Sequence, residues 1–140
     1  MSGGSGWSVT VHVDAKIKGM HDKTLLKKAY VGYYILETGE HREKPVSADE
    51  SDDAEIQAVL FAIEELAHRF DRMTIVCDHH SVVSEAKRQA AKNPSELLTN
   101  LRNILHEYQS RIELKALQSN LAHGSLTEYV NRLESESPAS

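Results

Sequence analysis

Hydrophobic and polar residues alternate almost without fault in the first patterned stretch of the chain, WSVTVHVDAKIKG (residues 7–19). A period of two with many β-branched residues is typical of a strand that packs one face on a core. Asp14 comes late in this stretch, although strands disfavour Asp. The apolar face consists of Trp7, Val9, Val11, Val13, Ala15 and Ile17. The pattern therefore predicts a first strand and identifies Asp14 as a candidate functional residue.

The next part of the chain predicts an antiparallel meander. A polar turn at residues 20–24 leads into a second strand centred on residues 29–36, which ends at Thr38-Gly39. Residues 42–46 predict a short third strand, and Pro45 places it at a sheet edge because Pro cannot donate a ladder hydrogen bond. Short turns between the three strands imply antiparallel pairing.

Hydrophobic spacing then changes to that of a helix. Ser51 can cap the helix, and the acidic residues that follow it suit the positive N-terminal end. The apolar stripe consists of Ile56, Val59, Leu60, Ile63, Leu66, Ala67 and Phe70. Glu55 lies on the flank of this stripe, so we expect its carboxylate to point towards whatever the helix covers.

The remaining pattern predicts two strands and three helices. Residues 72–77 are a short apolar run typical of a strand buried on both faces, and a helix follows over about residues 81–91. Asn93-Pro94-Ser95-Glu96 predicts the next helix start, and residues 111–117 alternate as a fifth strand. Ser125 and Glu128 have the spacing of a capping box that opens a last helix. We therefore predict an α/β fold, a mixed five-stranded sheet of a three-strand antiparallel meander plus two parallel strands, with helices on both faces.

Length and composition restrict the class of protein. The 140 residues suit one domain, and no apolar run reaches the ~18 residues of a membrane span. The N-terminus is Gly/Ser-rich with no apolar region behind it, so we expect a flexible leader or the remnant of a tag rather than a signal peptide. Cys77 is the sole cysteine, which excludes an internal disulfide and is typical of a reducing, cytoplasmic setting. We expect a leader (1–6), one domain (7–135) and a disordered tail (136–140).

Three acidic residues are the main candidates for chemistry. Asp78 directly follows the fourth strand, at the end where open α/β sheets place their sites. If the first and fourth strands are neighbours, Asp14, Glu55 and Asp78 converge. Clustered carboxylates repel one another unless a cation lies between them, and their oxygens suit Mg²⁺ or Mn²⁺. Taken singly, each acid also fits an ordinary role as a turn former or a helix-dipole partner. Together they indicate a metal-dependent nuclease, in which two ions can promote phosphodiester hydrolysis.

The order of elements and the motifs around these acids resemble the ribonuclease H family over nearly the whole chain, from Trp7 to about Leu133. VHVDAKIKG resembles the family's first strand, KKAYVGYYIL its second, DDAEIQAVLFAIEEL its first helix and TIVCDHHSVV its fourth strand. His79 stands where family members usually carry Ser or Thr. AHGSLTEYVNRLE resembles the family's histidine loop and last helix, with His123 at the mobile histidine, thought to assist proton transfer or product release. Asn131 then takes the position of the family's fourth acid.

The resemblance implies an endoribonuclease that cuts the RNA strand of RNA–DNA hybrids with two Mg²⁺ or Mn²⁺ ions. Its ligands would be Asp14, Glu55, Asp78 and Asn131, and water activated by one ion would leave a 3′-hydroxyl and a 5′-phosphate. Asn131 lacks a charge, so we expect weakened catalysis that Asn131→Asp would raise. Glu128 either substitutes for Asn131 or only closes the capping box.

Binding of a hybrid is a further implication of the resemblance. The backbone around Ala15 and residues near Glu55 would contact the RNA strand, which the family recognises by groove shape and 2′-hydroxyls. Lys87, Arg88 and Lys92 form a small basic cluster that either holds phosphates or is solvated surface. A net charge of −5 counts against a general nucleic-acid binder. We expect a monomer whose partner is the hybrid and which has no membrane association.

Two alternatives stay open from the sequence. The first is a catalytically degraded module that binds nucleic acid or a protein partner, which Asn131, His79 and the acidic charge favour. A zinc site that combines His79 and His80 with His12 or His123 is conceivable, although no histidine or cysteine spacing supports it. Cys77 is expected to be a buried core residue.

Overall fold

The chain forms five strands and four helices in the computed structural model, which describes residues 7–18, 28–48, 51–87, 96–108, 110–117 and 122–136. No described helix combines the length and apolar character that crossing a membrane requires. In chain order the elements are β1 (Ser8–Lys18), β2 (Lys28–Ile35), β3 (His41–Ser47), α1 (Ser51–Leu66), β4 (Arg72–Cys77), α2 (His80–Lys87), α3 (Glu96–Glu107), β5 (Ile112–Ala116) and α4 (Ala122–Glu136).

Several predictions lie outside the described residues. These are the leader, residues 137–140 of the tail, the turn at residues 20–24 and the helix start at Asn93-Pro94-Ser95. Arg88 and Lys92 of the basic cluster lie outside them as well, and so does the side chain of Lys87.

The sheet has the order β3-β2-β1-β4-β5. β1 pairs antiparallel with β2, and β2 antiparallel with β3. β1 and β4 are parallel, as are β4 and β5, because the connections between them contain helices. The predicted α/β fold, with a three-strand meander plus two parallel strands, is confirmed.

Both faces of β1 are buried around Asp14, whereas the alternation predicted burial of one face only. Val11 and Val13 are fully buried in the core on the face that α1 covers. On the opposite face His12 and Asp14 are only 7% and 4% exposed. The reason is α4, which packs across β1 and β2 and covers that second face.

The helix α1 is buried around more of its circumference than the predicted stripe. It contacts both α3 and the sheet. Residues outside the predicted stripe, including Ala58 and Ala62, are also fully buried. The helix ends at Leu66, and Phe70 is buried beyond its end. Glu55 is 6% exposed, in agreement with its predicted position on the flank of the stripe.

The last helix begins earlier than the capping box predicted. α4 starts at Ala122, and the Ser125 hydroxyl donates to the Ala122 carbonyl from inside the helix. Ser125 is therefore not the cap, and the predicted capping box with Glu128 is wrong. His123 consequently lies in the first turn of α4 rather than in a loop.

Gly32 keeps α4 close to the sheet, and its substitution gives a first testable prediction. It pairs with Asp14, and a Cβ atom there would lie 3.1 Å from Glu43 Cγ, 3.2 Å from the Arg42 carbonyl oxygen and 3.5 Å from Leu126 Cδ1. Because the Arg42 oxygen belongs to the backbone, the contact cannot be relieved by a rotamer change. We expect Gly32→Ala to lower the free energy of unfolding by about 1–3 kcal/mol in urea denaturation.

Gly124 offers a matched control for this substitution. It lies inside α4, and a Cβ atom there would meet no atom of the described residues within 4 Å. Gly124→Ala should raise the free energy of unfolding by about 0.5–1 kcal/mol, because Ala is the better helix former. If both substitutions changed the free energy of unfolding in the same direction, the steric explanation would be contradicted.

Candidate metal centre

Three acidic side chains converge at the carboxyl ends of β1 and β4. His12 lies opposite Val76 in the parallel pairing of these strands, so Asp14 and Asp78 follow at the same level. Glu55 reaches the same place from the second turn of α1. One carboxylate oxygen from each of the three residues lies within 4.8 Å of the others. The convergence expected from the sequence is present in the structure.

Burial differs sharply among the three carboxylates. Asp14 and Glu55 are almost completely buried, whereas Asp78 is exposed. The Ala15 backbone N–H donates to Glu55 Oε1 at 3.1 Å, which fixes the orientation of that carboxylate. Glu55 Oε2 is buried and has no hydrogen-bond partner among the described residues. A buried carboxylate oxygen without a partner is costly unless a proton or a cation occupies its lone pairs.

The electrostatics of the cluster favour neutral side chains when no cation is bound. Burial raises the pKa of Glu55 to about 9, and the neighbouring Asp14 and Asp78 charges add to this rise. Burial also raises the pKa of Asp14, and it outweighs the opposing hydrogen bond from His123. Without a bound cation, we therefore expect the folded protein to hold at least one proton in the cluster near neutral pH.

These residues fit a hard divalent cation. Three converging carboxylates provide the oxygen ligands that Mg²⁺ and Mn²⁺ prefer, and the free Oε2 of Glu55 is one of the available lone-pair positions. The cleft above them has a volume of about 420 Å³ and opens to solvent. Its lining consists of Asp14, Ala15, Ile17, Ala54, Glu55, Asp78, His79 and His123.

Two histidines line this cleft. His123 Nδ1 lies 2.9 Å from Asp14 Oδ2, and the rest of its side chain is largely exposed. His79 is half-buried and lines the cleft next to Asp78. His12 and His80 are not among the lining residues. Within the described parts of the chain, the three acids form the one tight group of potential metal ligands, so the conceivable zinc site of histidines is not assembled there.

The other predicted site residues occupy different positions. Asn131 is exposed on α4, eight residues after His123, which corresponds to about 12 Å along a helix axis. It does not line the cleft, and Glu128 is exposed as well. Ala15 lines the cleft, but its N–H already donates to Glu55. Lys87 ends α2, at the edge of the described residues.

Cys77 fits the predicted role in packing. It is fully buried, and burial raises the pKa of its thiol to about 11, which disfavours the nucleophilic thiolate. Its Sγ lies 3.7 Å from the carbonyl oxygen of His79.

Comparisons with solved structures identify the fold. RNase H1 from the halophilic archaeon Halobacterium salinarum superposes with a TM-score of 0.68 at 17% identity, covering 90% of this chain and 99% of that one. LC11-RNase H1 in complex with RNA/DNA hybrid has a TM-score of 0.69 at 15% identity, with the same coverage. A foamy viral protease-reverse transcriptase in complex with dsDNA has a TM-score of 0.63 at 17% identity, covering 83% of this chain and 85% of that one. The chain therefore has a ribonuclease H-like fold.

Comparison of sequences adds nothing to this assignment. No sequence profile of a known protein family matches the chain, and no curated protein is significantly similar to it.

Proposed function

We propose that this protein is a metal-dependent endoribonuclease that hydrolyses the RNA strand of RNA–DNA hybrids. The observation that carries the proposal is the cluster of Asp14, Glu55 and Asp78, whose ligand oxygens lie within 4.8 Å of one another in a ribonuclease H-like fold. A similar fold bound to an RNA/DNA hybrid, that of LC11-RNase H1, supports the choice of substrate.

The three acids would hold two divalent ions at the open end of β1 and β4. When bound, such ions polarise the phosphate and lower the pKa of water, which is the chemistry of two-metal phosphodiester hydrolysis. Asp14 and Glu55 are fixed by their buried surroundings, and Ala15 holds Glu55 in orientation through its N–H. Ligands fixed in this way require little reorganisation during the reaction. Exposed Asp78 leaves one side of the cleft accessible to a nucleic-acid backbone.

Recognition of the hybrid would rest on backbone contacts at the cleft rim. The N–H of Ala15 is occupied by Glu55, so any contribution of Ala15 to RNA binding would use its carbonyl or its Cβ surface. Phosphates near the cleft would be held partly by the bound cations, since the chain carries a net charge of −5. We propose that Lys87, Arg88 and Lys92 add phosphate contacts, so that binding falls steeply with salt.

The test is cleavage of an end-labelled RNA–DNA hybrid by the full chain in Mg²⁺ and, separately, in Mn²⁺. Single-stranded RNA, duplex RNA and duplex DNA of the same sequence are run alongside. We expect metal-dependent cleavage of the RNA strand in the hybrid alone, with 5′-phosphate products, and no cleavage by Asp78→Asn or after addition of EDTA. Asp78 is exposed, so its substitution should leave the fold intact.

The opposite result would support the second candidate, a catalytically degraded module. Hybrid binding without cleavage in either metal, together with an unchanged thermal midpoint on addition of Mg²⁺ or Mn²⁺, would refute the nuclease proposal. Cleavage of duplex DNA or duplex RNA at the same rate would refute the proposed substrate.

A further inference from the structure

We infer that His123 supplies the fourth donor of the metal centre, at an ion position shared with Asp14, and that this imidazole makes the position favour Mn²⁺ over Mg²⁺. The inference rests on the proposed metal-dependent function of the same cleft. It replaces Asn131, the residue that sequence resemblance placed in the fourth position.

The geometry of α4 carries the choice of His123. The helix begins at Ala122, which places His123 in the first turn, directly at the cleft. Its Nδ1 approaches Asp14 Oδ2 to 2.9 Å. Two neighbouring ligands of one octahedral ion, each about 2.1 Å from it, are separated by about 3 Å. Without a cation this contact is a hydrogen bond, and a cation bound by both atoms at the same separation would take the place of the shared proton.

Asn131 cannot occupy the same place while α4 is intact. It lies eight residues further along the helix, about 12 Å along the axis, and is exposed. The intervening residues Leu126 and Val130 are buried against Tyr30 of β2, which fixes the helix on the sheet. A sliding motion that brought Asn131 to Asp14 would expose both of these apolar side chains.

The chemistry of the donor determines the expected metal. An all-oxygen set suits Mg²⁺, which binds imidazole poorly and retains its water ligands. Imidazole nitrogen instead suits transition metals, and affinity for mixed nitrogen and oxygen sites rises from Mn²⁺ along the first row. Asp14 is one of the three clustered acids as well as the partner of His123, so a cation held by Asp14 would lie within reach of the imidazole.

The test measures Mn²⁺ directly by electron paramagnetic resonance on the full chain. Loss of the free Mn²⁺ signal counts the ions bound, and electron spin-echo modulation from ¹⁴N reports an imidazole nitrogen on the ion. We expect two bound Mn²⁺ ions and ¹⁴N modulation in the wild-type protein. In His123→Ala the modulation should disappear and the dissociation constant of the second ion should rise at least about tenfold.

Three further variants identify the residue responsible. His106→Ala, an exposed histidine on α3, should behave as the wild-type protein, and Asn131→Asp should leave Mn²⁺ binding unchanged. His123→Asp should lose the ¹⁴N modulation, retain two ions and shift selectivity towards Mg²⁺ in competition. These readouts do not depend on turnover.

Different failures have different meanings. Bound Mn²⁺ without ¹⁴N modulation, or modulation that survives in His123→Ala and disappears in His79→Ala, would overturn the assignment of His123 while the nuclease proposal stands. Tighter binding of the second ion in Asn131→Asp would restore Asn131 as the fourth ligand. Absence of any bound Mn²⁺ would overturn both the inference and the proposed metal-dependent function.

Discussion

Glu55→Gln should strongly reduce cleavage of the hybrid and, in the absence of metal, stabilise the protein. The substitution replaces one carboxylate oxygen with an amide nitrogen at a position where the side chain is 6% exposed. Loss of one charged ligand should reduce the metal-dependent rate by about 10³-fold or more, since metal ions contribute several kcal/mol to such transition states. Gain of stability from the loss of a functional group is the expected signature of a site that is strained without its cation.

The direction of the stability change follows from the pKa of Glu55. Burial, reinforced by Asp14 and Asp78, raises this pKa to about 9 from its ordinary value of 4.5. Between these two values the folded metal-free protein binds the Glu55 proton, whereas the unfolded chain has released it. The unfolded state therefore binds fewer protons, and the free energy of unfolding falls as pH rises from about 4.5 to 9. Glutamine does not titrate, so the free energy of unfolding of the variant does not fall with pH through this position.

Urea denaturation in EDTA between pH 5 and pH 9 measures the effect. We expect Glu55→Gln to exceed the wild-type free energy of unfolding by about 1–3 kcal/mol at pH 8, with a smaller excess at pH 5. Glu64→Gln is the matched control, because Glu64 lies on the exposed side of the same helix. It should stay within about 0.5 kcal/mol of wild type and keep full activity. A Glu55→Gln protein that is less stable than wild type at pH 8 would show that Glu55 is satisfied without a cation.

The sequence predicted the sheet and the convergence of the three acids because both leave local signals. Alternation in β1 and the apolar run of β4 identify the two strands directly, and the length of the helical connection requires them to be parallel. The register between these two parallel strands then places Asp14 and Asp78 at the same level of the sheet. Glu55 was found because its position relative to the apolar stripe of α1 is a property of helix periodicity.

The part of the site contributed by α4 was harder to predict. Ser125 and Glu128 have the spacing of a capping box, yet the helix begins three residues earlier, at Ala122. Capping signals are weak compared with the burial of Leu126 and Val130 on β2, which sets the position of the whole helix. The family resemblance pointed to His123 as a site residue. Its contact with Asp14 joins residues 109 positions apart, and no local pattern predicts that contact.

Arg111 makes a second contact between residues that are distant in the chain. It joins the end of α1 to the start of β5. α1 has no basic residue in its last turn, where a cation would be favourable for the helix dipole. Arg111, predicted from sequence only as the first residue of a strand, provides that cation from a distance in the chain. Its Nη2 donates to the carbonyls of Ala67 and Phe70 at 2.6 and 2.8 Å, and its Nε donates to that of Asp71 at 3.0 Å.

Arg111→Ala should therefore destabilise the protein by about 2–3 kcal/mol, because it removes charge-assisted hydrogen bonds to three carbonyls at once. Arg111→Lys should recover only part of this loss, since an ammonium lacks the planar fork that reaches all three oxygens. Arg72→Ala removes an exposed guanidinium close by and should change stability by less than about 0.5 kcal/mol. All three free energies of unfolding come from urea denaturation. Full recovery by lysine would mean that the charge at the end of α1, rather than the hydrogen bonds, holds the α1–β4 connection in place.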